Sequence, residues 1–325
     1  MSRSLSPPGS ARPAASVVVA VRGNTSALEG LAAAVWAQRV EGGIELIVVD
    51  NHPTPVLQPG SGRLGPMACR IVHEPVPGLS RARNTGIGQA RGDVVLITDP
   101  DARPGLGWAS GMIRALEETG AYAAGGKVVP RFTAKDPAEV PAELMQLFVP
   151  PLWPQTTAEL AAPYWVVGCN LALRSSPRPW FDTRLGVAGR RHLSCEELEF
   201  TVRAERDGLR VVVVPDAVVH RAIHPADLTV RAVAGRAWWH GVSVARLLVI
   251  HPGAEIYDSY RLRDALAWTR LVRTGGRRTV LADVLRIVGL RGERLRLAWT
   301  GLPAQAEDMQ RAVPDDDEKE QIGHG

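Results

Sequence analysis

The chain predicts an α/β fold, a central and mostly parallel sheet flanked by helices, with a helical C-terminal extension. Three observations carry this. Continuous apolar runs of strand length alternate with segments of helical pattern from Ser16 to about Val219. Such runs mark strands covered by helices on both faces, which favours parallel pairing. Beyond Arg221 the strand pattern gives way to basic sequence of helical character.

Taken in order, residues 1–15 read as a flexible arm, rich in Ser, Pro and Arg and without the apolar centre of a signal peptide. Ser16-Val-Val-Val-Ala-Val21 is the first buried strand. Thr25 or Ser26 then caps a helix running to Gln38, and Ile44 to Val49 is a second strand ending in Asp50. Arg70 to His73 is a short strand, Ser80 to Ala90 a helix, Asp93 to Thr98 a strand, Leu106 to Thr119 a helix and Tyr122 to Val129 a strand. Between Pro130 and Pro163 prolines break the pattern, leaving a short helical option at Glu139 to Phe148. Apolar character returns from Tyr164 to Leu173. A helix from Glu196 to Asp207 stops at Gly208, and strands Val211 to Val214 and Ala217 to Val219 lead into His220. This divides the chain into the arm, a catalytic unit at 16–221, a basic helical extension at 222–302 and an acidic disordered tail at 303–325.

Composition narrows the function classes. The 325 residues are 45% hydrophobic and 22% charged, which excludes wholesale disorder. A formal net charge of +4 is too small to imply a nucleic-acid partner, and none is expected. Its distribution is uneven: residues 221–300 hold 14 arginines against 6 acidic residues, and 303–325 hold 7 acidic against 2 basic. The basic region reads either as a solvated helix surface or as a face toward phosphates or anionic lipid. Trp238, Trp239, Trp268 and Trp299 read either as packing or as an interfacial surface. No stretch reaches 18 uninterrupted apolar residues, so the expectation is no membrane span, with peripheral contact left open. Cys69, Cys169 and Cys195 show no paired spacing, which places the chain in a reducing cytoplasm, with attachment at the inner face of the membrane as an option.

The most informative feature is Asp99-Pro100-Asp101, directly after Val94-Val-Leu-Ile-Thr98. Residues just outside the carboxyl ends of parallel strands are the usual ligand positions of such folds. Two carboxylates there suit Mg2+ or Mn2+ against a diphosphate; the bland alternative is a solvated turn in which Asp99 caps the next helix. Asp50 at another strand end, and Arg81, Arg83 and Asn84 at a helix start, together describe a nucleotide pocket better than any does alone. A nicotinamide site is disfavoured, because Val21-Arg-Gly-Asn24 lacks the Gly-x-Gly-x-x-Gly phosphate turn.

With these residues in place, the sequence resembles the inverting family 2 glycosyltransferases of GT-A fold over about residues 16–221. The resemblance rests on Ser16–Val21, Ile47-Val-Val-Asp-Asn51, Gly78-Leu-Ser-Arg-Ala-Arg-Asn-Thr-Gly-Ile87, Leu96-Ile-Thr-Asp-Pro-Asp-Ala102, Gly168-Cys-Asn-Leu-Ala172, Phe181-Asp182 and Cys195-Glu-Glu-Leu-Glu-Phe200. It implies transfer from a nucleotide-diphosphate sugar to an acceptor hydroxyl, the acceptor itself being unspecified. Asp50 would contact the base, Asp99 the ribose or the metal, and Asp101 the divalent ion. Arg81 or Arg83 would contact the nucleotide, Asn84 would order nearby backbone, and His220 would reach metal or diphosphate. Glu197 would be the acceptor base and Glu196 would orient acceptor hydroxyls, with Glu199 as a local alternative. The family usually has Glu-Asp where this chain has Glu196-Glu197. Two rival readings are a nucleotidyltransferase and a catalytically silent sugar-nucleotide-binding protein.

Overall fold

The structure, a computed structural model, describes residues 12–134, 154–160, 165–177, 180–254 and 277–302. The helical option at 139–148, Trp268, most of the N-terminal arm and the acidic segment 303–325 lie outside the described residues.

One sheet dominates. Strand β1 (Ala15–Val21) pairs in parallel with β2 (Ile44–Asp50) on one side and β5 (Val94–Thr98) on the other. Strand β4 (Met67–His73) joins β2 in parallel, and β3 (Gly60–Leu64) closes that edge as the antiparallel arm of a hairpin. Beyond β5 the direction changes. Strand β9 (Asn170–Arg174) runs antiparallel between β5 and β7 (Ala123–Phe132), and β10 (Val211–Ile223) then pairs with β7 in parallel. Short strands β6 (Ala102–Pro104) and β8 (Ala158–Glu159) both add to β10 in antiparallel sense. The parallel run β4-β2-β1-β5 is the half that the apolar runs predict, and the rest of the sheet is mixed. Strand β9 thus runs against both of its neighbours, β5 and β7.

Helices cover both faces. Strand residues Val17, Val19 and Val48 pack one way, against Leu28, Leu31 and Val35 of α1 (Leu28–Trp36) and Trp108 and Met112 of α3 (Trp108–Thr119). Val18, Ile47, Val95 and Ile97 pack the other way, against Ala82 and Ile87 of α2 (Leu79–Gln89) and Phe200 and Ala204 of α4 (Glu196–Arg206). Burial on both sides is why these strands lack polar alternation. Helix α2 tolerates Gly86, a residue costing about 1 kcal/mol in a helix interior, because a Cβ there would stand 2.3 Å from Val18 Cγ1. The glycine lets α2 lie close on β1.

Strand β10 is continuous where the sequence suggests two pieces. Pro215 breaks the pattern, but the register shifts between Val214 and Val219, and a bulge is one of the few places in a sheet where proline fits.

Two further helices, α5 (Val230–Ile250) and α6 (Arg277–Thr300), pack on one another and on the segment that leads into α4. Thr229 caps α5 by accepting the Ala232 N–H at 3.2 Å. The helices cross at two glycines: a Cβ on Gly241 would collide with the Arg286 carbonyl, and one on Gly289 would lie 2.5 Å from the Trp238 carbonyl. The inner faces of the pair are apolar, with Val244, Leu247 and Leu290 buried against Leu185, Leu198 and Val202. A buried ion pair, Arg246 to Glu293 at 2.9 Å, is tied to the 184–194 segment by a bond from Arg246 to the Arg184 carbonyl. Ser243 Oγ also accepts the Ser194 N–H at 2.8 Å. Among the described residues no helix is long and apolar enough to cross a membrane.

Candidate active site

The register of the parallel strands sets the site. Val21 pairs with Asp50 and Val19 with Thr98, so Asp50 and Asp99 emerge at the same carboxyl edge of the sheet. Asp101 follows two residues on, at the entry to β6, which β10 holds through the pairing of Arg221 with Ala102.

At the centre of this edge is Arg83, on α2 and only 2% exposed. Its Nη1 donates to Glu196 at 3.1 Å and Glu197 at 3.4 Å, and its Nη2 donates to Asp99 at 3.3 Å. The guanidinium also lies 5.4 Å from the centroid of the Phe181 ring. Burial works against its charge most strongly, yet Glu197, Asp99 and Glu196 together carry the arginine above its ordinary pKa. One cation thus binds the Asp99 strand end to the glutamate pair of α4. Arg81 lies two positions earlier on α2, on a different face, and is partly exposed.

A second arginine stands on the other side of the acidic pair. Arg221 reaches Asp101 at 3.5 Å and Asp99 at 3.8 Å. Desolvation raises the Asp101 pKa and Asp99 adds to the rise, while Arg221 opposes it. His220 is the preceding residue of β10, and consecutive strand side chains point to opposite faces. Its Nδ1 is buried without a hydrogen-bond partner among the described residues.

The two glutamates differ sharply. Glu197 Oε1 accepts the Gly168 N–H at 3.0 Å and keeps contact with solvent. A Cβ at Gly168 would lie 2.3 Å from that oxygen and 2.6 Å from Arg83, so only glycine fits the approach. Glu196 is buried, bonded to Arg83 through Oε1, and its Oε2 has no partner among the described residues. Burial, reinforced by the neighbouring Glu197 charge and opposed by Arg83, raises its pKa far above the carboxylate range. Burial and the Glu197 charge thus favour the protonated form of Glu196. Both follow Cys195, whose left-handed backbone (φ 69°) turns the chain into α4. Glu199 is spoken for, paired with Arg203 and His251, each at 2.9 Å.

A proton taken up on folding makes stability depend on pH, and the sign follows directly. A carboxyl raised in the folded state binds more protons there than in the unfolded chain, so unfolding free energy falls as pH climbs from the unfolded pKa to the folded one. Glu196→Gln supplies a permanent amide in place of the protonated acid. The expected result is that the wild-type melting temperature drops relative to Glu196→Gln between about pH 5 and pH 8.5, as seen in melts across that range. Parallel curves would rule out proton uptake at Glu196 on folding.

Asp50 is fully buried, and its carboxylate accepts the N–H groups of His52, Val56 and Leu57 at 3.2, 2.6 and 2.9 Å. It shapes the loop after β2. Asn84 exchanges two hydrogen bonds with the Phe181 backbone, at 2.8 and 2.7 Å. The sequence reading gave no role to three polar residues. Arg221 is one. Asn51 bridges the 74–78 loop to the start of α2. Asn170, fully buried, donates to the Lys127 and Ala217 carbonyls and accepts the Trp108 indole N–H at 2.7 Å, thereby holding the β10 bulge. An asparagine at the head of an apolar run was the available signal for Asn170; Arg221 offered only its place after the last strand.

Among the described residues no group of three or more His, Cys, Asp or Glu is arranged to hold a metal by itself. Asp99 and Asp101 nevertheless suit Mg2+ or Mn2+, which take one or two carboxylates and complete their shell from substrate phosphates and water. Arg221 partly offsets the charge of that pair, and an ion held there would compete with it for the carboxylates.

A mixed sheet covered by helices, with aspartates outside its strand ends and a helix-borne glutamate pair joined to them through one arginine, makes an α/β architecture with one acidic site at the carboxyl edge of its parallel strands. Residues 16–163 match the family described as Glycosyl transferase family 2. A glucosyl-dolichyl phosphate glucuronosyltransferase of Haloferax volcanii is 24% identical over 212 residues, covering 58% of this chain and 62% of that protein. The chain thus aligns with less than two thirds of that relative's length. Two crystal structures of S. aureus TarS superpose at a TM-score of 0.47. One, at 16% identity, covers 86% of this chain and 55% of that one. The other, of residues 1–349 in complex with UDP, has 15% identity and covers 88% and 91%.

Proposed function

We propose that the chain transfers a sugar from a nucleotide-diphosphate donor to an acceptor hydroxyl with inversion at the anomeric carbon, residues 16–221 carrying the chemistry. The observation that carries this reading is the Arg83 junction, which sets the glutamate pair of α4 against the aspartate of the β5 end. Glu197 takes the acceptor proton while the acceptor oxygen attacks. The bond from the anomeric carbon to the diphosphate oxygen breaks, and its electron pair leaves with the nucleotide diphosphate. Glu197 keeps contact with solvent while its Oε1 accepts the Gly168 N–H, which places its carboxylate where an acceptor hydroxyl can reach it.

The donor side belongs to Asp50, Asp99 and Asp101, with Arg81 or Arg83 toward the nucleotide; His220, on the face of β10 opposite Arg221, would reach a diphosphate only from that face. Asp50 acts through the loop that it holds rather than by a free carboxylate, both of its oxygens being engaged. A divalent ion, Mn2+ or Mg2+, held by Asp101 and Asp99 would supply charge stabilisation for the leaving diphosphate. The Haloferax relative is named for a lipid-linked sugar acceptor, and a lipid-linked sugar is the acceptor class we assign.

A thermal-shift panel of UDP-, GDP- and dTDP-sugars, with and without Mn2+, tests the donor side. One nucleotide sugar is expected to raise the melting temperature, and more so with metal, since a ligand at about 100 times its Kd adds about 2.7 kcal/mol. Silence across the panel would sink the reading.

A further inference from the structure

We infer that the outward face of α6 is a docking surface for an anionic lipid bilayer. The helix has two unlike sides. Leu290, Glu293 and Leu297 are buried on its inner side, with Glu293 ion-paired to Arg246 of α5. On the outer side Val288, Leu295 and Trp299 are exposed, Leu295 by 66% and Trp299 by 89%. At 3.6 residues per turn these three lie within about 40° of one another. A surface helix normally turns charged residues outward, so an apolar stripe there is out of place in water.

The flanks of the stripe identify the occupant. Arg291 and Arg294, both exposed, border it on one side, and Arg296 borders it on the other, held toward Glu293 at 2.7 Å. An indole and two aliphatic side chains at the centre with guanidinium groups beside them match the boundary of a bilayer, where apolar groups enter below the headgroups and cations meet lipid phosphates. The acidic segment 303–325 would answer the charge, but its Asp315-Asp-Asp-Glu-Lys-Glu320 run offers the stripe no apolar surface. A second copy of the chain would meet the arginines with the same positive charge. The surface is independent of the transfer chemistry. Its partner helix α5 is bonded to the 184–194 segment that leads into Glu196.

Co-sedimentation of the full chain with phosphatidylcholine vesicles, with and without phosphatidylglycerol, tests this. Binding is expected only to the anionic vesicles and is expected to weaken in high salt. Leu295→Ala with Trp299→Ala should lower the partition coefficient at least about tenfold, and Arg291→Glu with Arg294→Glu about tenfold or more. All four positions are exposed, so melting temperatures should not move. Absence of binding to anionic vesicles overturns the proposal, as does binding that both double variants leave unchanged. It is equally overturned if the wild type is a dimer that both variants split and no vesicle binding occurs.

Discussion

Glu197→Gln is expected to lower the transfer rate by about 100- to 10,000-fold, the usual contribution of a positioned general base, with donor binding intact. The amide has the same shape, and its oxygen still accepts the Gly168 N–H that now holds Glu197 at 3.0 Å. What it loses is the capacity to take a proton. Donor thermal shift should therefore match the wild type while turnover collapses, and the two readings separate base from binding. The neighbours offer no substitute. Glu196 is buried against Arg83, and Glu199 is locked between Arg203 and His251. A variant that binds and transfers at the wild-type rate would refute the assignment of the base. A wild type that binds donor yet transfers to no acceptor would instead favour the silent binding protein.

Much of this arrangement was legible in the sequence, and the gaps have physical causes. Strands covered on both faces declare themselves as apolar runs, so β1, β2 and β5 fall close to where the pattern places them. Strand direction is not written in such a run, and the antiparallel entry of β9 went unread for that reason. The short strands β3, β6 and β8 carry too little apolar sequence to stand out. The acidic residues were legible because their positions at strand and helix ends are local facts. Arg81 and Arg83 could not be told apart, since positions two apart on a helix face differently and only the packed fold decides which one turns inward. Arg221 was missed because its meaning comes from carboxylates more than a hundred residues away. Asp50 shows the converse: its place was foreseen, but its carboxylate turns back on its own loop.

Arg83→Met should be the most damaging single change to the fold of the site. Methionine fills similar space and leaves Asp99, Glu196 and Glu197 without their common cation. Removing one member of a buried ion network costs about 3–5 kcal/mol, mostly because the remaining charges stay buried and unpaired. Part of that loss is recoverable. With the cation gone, Glu196 would bind its proton still more tightly, so Arg83→Met should regain stability toward acid pH, in contrast to a plain packing defect. Adding Glu196→Gln to Arg83→Met should restore some of the lost unfolding free energy, as a coupling of the two sites in a double-mutant cycle by urea denaturation. Arg83→Lys should recover only part, because an ammonium cannot span three carboxylates on two elements as a planar guanidinium does. Strict additivity of the Arg83 and Glu196 changes would mean that the arginine acts by packing alone, and the electrostatic link between the β5 strand end and the α4 glutamates would have to be abandoned.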